Sequence, residues 1–188
     1  MLSAIVSSAA AYAATNLDDL FVLMLLLAAC RHPRRLAAGH ILGVGTLTAI
    51  GLLGALGLQQ LPLQYTGLLG FVPILLGVRA LLQRSGADEE DVPAAKDIGV
   101  FGMALTTLGN GADNLGVYIP LFTGFTGGQC LIAVLVFTAL TALWLWLAQT
   151  LAGLPRLHSL LQKYRHIAVP AILLTLGICI VFGSGLFG

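Results

Sequence analysis

Residues 4–30 read AIVSSAAAYAATNLDDLFVLMLLLAAC, and the heptapeptide TNLDDLF at 15–21 decides how the chain is read. The flanks are membrane-helix sequence, yet Asn16, Asp18 and Asp19 interrupt them. An acid at that depth costs about 2.5–3.5 kcal/mol on insertion scales, so it must face a polar partner or a wet cavity. Two adjacent acids in one apolar span therefore point to a site and not to a solvated surface.

The rest of the chain has the same solvent. It has 188 residues, is 58% hydrophobic and 9% charged, and has a mean hydropathy of +0.96. A soluble domain carries about 25% charged residues. Apolar runs long enough to span a bilayer recur along nearly the whole length, which makes this a polytopic membrane protein. The net charge of +1 and the lack of a basic stripe exclude nucleic acid as a partner. Ala11-Tyr12-Ala13 resembles a signal-peptidase site, but Met1-Leu2-Ser3 supplies no positive leader, so residues 2–29 are expected to remain as the first span. Cys30, Cys130 and Cys179 form no CxxC pair and support neither a disulfide framework nor a thiolate cluster.

Hydropathy, punctuated by Gly, Pro and charge, predicts six spans, near 2–29, 36–58, 65–83, 98–124, 128–152 and 167–187. All nine Lys and Arg fall in RHPRR, in RALLQRSGADEEDVPAAKD and in PRLHSLLQKYRH, and none in QQLPLQ or the TGG turn near 126–128. The positive-inside rule then places the first, third and fifth connections in the cytoplasm and both termini outside.

TLGNGADNLGVY at 107–118 echoes the first motif: Asn16 to Asp19 and Asn110 to Asp113 share the pattern N-x-x-D. Pro73 and Pro170 follow 57 and 60 residues after the two asparagines. Two three-helix repeats are expected, 1–83 and 98–188, joined by a polar cytoplasmic linker at 84–97. Three is odd, so the second repeat enters from the opposite face. The fold class predicted is an all-α integral membrane protein, six transmembrane helices as two inverted repeats, with the site where they meet.

Five of the eight acids lie in or beside the linker, leaving Asp18, Asp19 and Asp113 at membrane depth with no Lys or Arg in any span core. The simplest missing partner is a cation that comes and goes. At 100° per residue, Tyr12, Thr15, Asn16 and Asp19 share a stripe, and so do Thr106, Thr107, Asn110, Asp113 and Asn114. Gly109 and Gly111 are placed to loosen the fourth helix and free backbone carbonyls. The metal ligands expected are Asn16, Asp18, Asp19, Asn110, Asp113 and Asn114, with Thr15, Thr107 and Tyr118 secondary. Three carboxylates and three amide oxygens suit a divalent cation. For Asp18, Asp19 and Asp113 the alternative is a structural polar network gluing helices together, for each Asn an interhelical hydrogen bond, for Thr15 and Thr107 a bond to their own helix carbonyls, and for Tyr118 a packed aromatic. His40 reads as an interfacial histidine opening the second span.

ATNLDDLFVLMLLL and NGADNLGVYIPLF resemble the paired signatures of the cadmium-resistance (CadD-type) transporters of the lysine-exporter superfamily, in length, span count and motif placement. The resemblance implies six helices in two inverted repeats and export of Cd2+, with Zn2+ as a second substrate, on the Asn and Asp residues of the two motifs. It implies a cell-membrane transporter without cofactor. Its partners are the lipid bilayer and the metal ion, with a homodimer left open. No GxxxxGK[ST] is present, so the expected energy source is an ion gradient or the substrate's own gradient. Clustered carboxylates cannot all stay ionised in an empty apolar site, so exchange of metal for protons is the expected mechanism. The alternatives are export of Mn2+, Ca2+ or a cationic amino acid, a non-transporting scaffold, and an intramembrane aspartyl protease, whose G-x-G-D pattern is lacking.

Overall fold

The structure is a computed structural model that describes residues 1–58, 67–82, 98–111, 113–152 and 170–182. The expected linker at 84–97 lies outside the described residues. Among the described residues every regular element is helical. They are α1 (Leu2–Ala29), α2 (Pro33–Leu58), a 3-10 turn (Gly67–Gly70) leading into α3 (Phe71–Leu82), α4 (Val100–Asn110), α5 (Leu115–Thr123), α6 (Gly127–Leu151) and α7 (Pro170–Phe182).

Local chemistry explains the boundaries. Pro33 opens α2, where its missing N–H is no loss. His32, as the residue before it, is steered out of the helical region, and its N–H bonds Cys30 Sγ at 3.3 Å. Thr126 and Gln129 form a capping box at the start of α6, with Gln129 Oε1 accepting from the Thr126 N–H at 2.9 Å. α2 and α6 are each long and apolar enough to cross a bilayer, with hydropathies of 2.0 and 2.4. Their threonine hydroxyls mostly donate back to the carbonyl four residues earlier, as Thr46 does to Leu42 and Thr138 to Val134, both at 2.8 Å. This hides the polar group from hydrocarbon.

The fourth apolar stretch is the exception. It is not one helix over 98–124 but two, α4 and α5, separated at Gly111–Asn114. The glycines at 109 and 111 each disfavour helix by about 1 kcal/mol relative to alanine. Pro120, inside α5, has no N–H to return to the Gly116 carbonyl. The break is closed by turn bonds: Gly111 N–H to Thr107 O at 2.9 Å, Asn114 N–H to Gly111 O at 3.1 Å and Gly116 N–H to Asp113 O at 2.9 Å.

Two pairings dominate the packing: α1 against α6, and α2 against α4 and α5. Both are parallel. Along α2, Gly39 meets Val100 and Met103, Gly43 meets Thr107, and Gly51 meets Tyr118, so the numbering rises together. Along α1, Tyr12 meets Phe137 and Thr141, and Asn16 meets Trp144. A Cβ on Gly43 would lie 2.6 Å from Thr107 Cβ, so Gly39-x-x-x-Gly43 lets α2 and α4 approach backbone to backbone. Rings of Tyr12, Tyr118, Phe122, Phe137 and Trp144 fill the space between α1, α5 and α6; Tyr118 and Phe137 have centroids 4.7 Å apart.

Candidate metal site

Asn16 is fully buried in the middle of α1, which passes through TNLDDLF without a break. Its amide nitrogen is held by three acceptors: Tyr12 O at 2.9 Å, Thr15 Oγ1 at 2.9 Å and the Tyr118 hydroxyl at 2.7 Å. A backbone carbonyl can only accept, so the amide is oriented with its NH2 toward Tyr12 and its Oδ1 away. Asn16 Oδ1 is buried and has no hydrogen-bond partner. Such an atom loses its solvation with nothing in return unless something visits it.

The surroundings fix that orientation. Thr15 Oγ1 donates to its own helix at Ala11 O, 2.9 Å away, and also lies 3.4 Å from the Tyr118 hydroxyl. Trp144 Nε1 on α6 donates to the Asn16 carbonyl at 2.7 Å. Thr141 Oγ1 donates to Phe137 O at 2.8 Å, so the Tyr12 hydroxyl, 2.9 Å from Thr141 Oγ1, donates to it. Tyr12 and Tyr118 are both fully buried. Asp19, one turn along from Asn16, is 4% exposed.

The second motif is arranged differently. Asn114 is 2% exposed and its Nδ2 is buried without a partner, against Gly111, where a Cβ would sit 3.1 Å away. Asn110 is half-buried and Asp113 is exposed. Thr107, 1% exposed, does not reach the α1 cluster; its Oγ1 pairs with His40 Nδ1 at 3.1 Å. The structure thus brings Thr15, Asn16 and Tyr118 into one bonded cluster and ties Thr107 to α2. The Asp18 side chain lies outside the described residues. Among those described, no three His, Cys, Asp or Glu form a preformed metal cage.

Sequence reasoning missed Trp144 and Thr141, and it did not pair His40 with Thr107. An indole and a hydroxyl at 144 and 141 carry no motif, and only the packing of α6 on α1 reveals them. His40 is fully buried among protein atoms. Its place between Gly39 and Gly43, on the face that meets α4, was the signal.

The comparisons with known proteins agree with the motifs. No curated protein and no solved structure matches the chain. The family model described as "Cadmium resistance transporter" matches residues 12–188, which takes in both N-x-x-D motifs. This is a transporter family, so the chain is a membrane transporter with a metal substrate. The chain belongs to the cadmium resistance transporter family.

Proposed function

We propose that the protein exports a divalent cation, Cd2+ or Zn2+, across the cytoplasmic membrane in exchange for protons. The site lies between the middle of α1 and the α4–α5 break. The observation that carries this is the orientation of Asn16: its NH2 is fully engaged while Oδ1 is buried without a partner, one turn from the buried Asp19. An oriented amide oxygen beside a carboxylate suits a cation and repels an anion. Asp113, Asn110 and Asn114, which flank the break, supply the opposite side. Asp18 adds a ligand or holds one in place.

The pairing of helices supports six spans in two inverted repeats. An inverted repeat that exchanges the first span with the fourth and the second with the fifth converts the α1–α6 pair into the α4/α5–α2 pair. Both pairs are present, and both are parallel, as spans of equal parity must be. With RHPRR in the cytoplasm, both termini lie outside, and rocking of one repeat on the other would alternate access.

In the metal-free state, clustered acids at this depth hold at least one proton, and metal binding expels it. Proteoliposomes carrying an internal pH-sensitive dye test this. Cd2+ flux accompanied by opposing proton movement is expected. Metal flux without proton movement across the neutral range would make the protein a uniporter.

A further inference from the structure

The oxygen-rich set around Asn16 does not account for a preference for soft metals, because carboxylates, amides and carbonyls suit Ca2+ and Mn2+ as well. The thiols give no help. Cys30 Sγ accepts from the His32 N–H, Cys130 Sγ lies 3.7 Å from Phe122 O, and Cys179 is exposed. His40 offers a different donor. It is fully buried on α2, its Nδ1 pairs with Thr107 Oγ1 at 3.1 Å, and its Nε2 is buried without a hydrogen-bond partner.

A ring held at Nδ1 by a hydroxyl, with Nε2 left to bind, is how proteins orient an imidazole for a metal. Here the orientation is over-determined. Gly39 and Gly43 let α2 lie close against Val100, Met103 and Thr107 of α4, which keeps the ring and its hydroxyl partner on adjoining helix faces. The position along the helices is also defined. His40 lies seven residues into α2, about 10 Å from its Pro33 end. Thr107 lies three residues before Asn110. His40 is therefore about one turn from the α4–α5 break, on the side of Arg31, Arg34 and Arg35.

We propose that His40 is a nitrogen ligand for the transported metal at a station before the Asn16 site, and that it supplies the preference for Cd2+ and Zn2+ over Mn2+ and Ca2+. The proposal rests on reading the chain as a divalent-metal exporter. Imidazole nitrogen binds late, borderline metals well and hard oxygen-seeking cations poorly, so one such ligand sorts them by chemistry that the oxygen site lacks. Thr107 acts through the ring and does not touch the metal.

The test uses the full-length protein in detergent, labelled with 15N-histidine, titrated with each metal alone. Cd2+ should shift the Nε2 resonance that is missing from the His40→Asn spectrum. His40→Asn keeps a polar atom facing Thr107 and deletes Nε2. Its Cd2+ and Zn2+ affinities should fall by at least about tenfold while Mn2+ and Ca2+ affinities hold, and Thr107→Val should lose about tenfold for Cd2+. An unmoved Nε2 resonance, or a His40→Asn protein that binds all four metals as before or loses all four equally, overturns the proposal. Should His40→Asn misfold, replacing His32, His158 and His166 by Gln leaves His40 the sole histidine, and its Nε2 shift decides. A parent protein that binds no divalent metal would instead sink the exporter reading.

Discussion

The two N-x-x-D motifs answer the same problem with opposite backbones. TNLDDLF lies in an unbroken helix, whereas NGADN falls between α4 and α5. In the first, Thr15 and Asn16 donate to the carbonyls of Ala11 and Tyr12, four residues back, so the polar groups reinforce the turn they interrupt. In the second, Gly109, Gly111 and Pro120 weaken the helix, and Asn114 occupies the N-cap of α5. The difference teaches that acids and amides alone do not break a membrane helix; here the break falls at the glycines. On the proposed reading, the unbroken helix presents side-chain oxygens at fixed positions and the break presents backbone.

The sharpest way to break this comparison is to neutralise the rigid half. Asp19→Asn, at a buried position, should reduce Cd2+ flux in proteoliposomes to the empty-vesicle level, with the thermal melting of the detergent-purified protein preserved. Asp18→Asn should fall between that variant and wild type.

Next is the broken half. Gly111 is approached by Leu47 Cδ1 and lies 3.0 Å from Thr107 O at its missing Cβ. Gly111→Val should cost about 1–3 kcal/mol of stability through overpacking, read by thermal unfolding, and should slow transport more than it weakens metal binding. Equal loss of both would mean that the break serves only as a ligand.

The link between the halves is a smaller effect. Tyr118→Phe removes the hydroxyl that accepts from Asn16 and sits near Thr15. Intramembrane hydrogen bonds are worth about 0.6 kcal/mol on average and reach about 1.7. Cd2+ affinity should therefore fall roughly threefold to twentyfold, measured by equilibrium binding, as the Asn16 amide gains freedom. At the bottom of the scale, Gly45 and Gly57 have nothing within 4 Å of an added Cβ. Gly45→Ala should leave flux unchanged and raise stability by about 0.5–1 kcal/mol.

Much of this was legible in the chain. Helix positions follow directly from the apolar runs, and α1 spans the residues predicted, 2–29. The break at Gly111 was foreshadowed by the two glycines, because their backbone cost is local and needs no tertiary context. Asn16 and Asp19 stood out because burial of a polar group in hydrocarbon is costly wherever the chain later packs. What the sequence hid was relational. Thr107 carries a hydroxyl in the right stripe, yet its partner is His40, 67 residues away. Trp144 fixes Asn16 from 128 residues away, through a parallel pairing that no periodicity encodes.

The central claim is that one cation is shared between the two unlike halves. Crystals grown with Cd2+ and measured for its anomalous scattering test it most directly. The account predicts a peak touching Asn16 Oδ1 and Asp19 on α1 and, on its other side, a group from 110–114. A Cd2+ peak that touches one half and leaves the other dry, with no second peak bridging them, would contradict it.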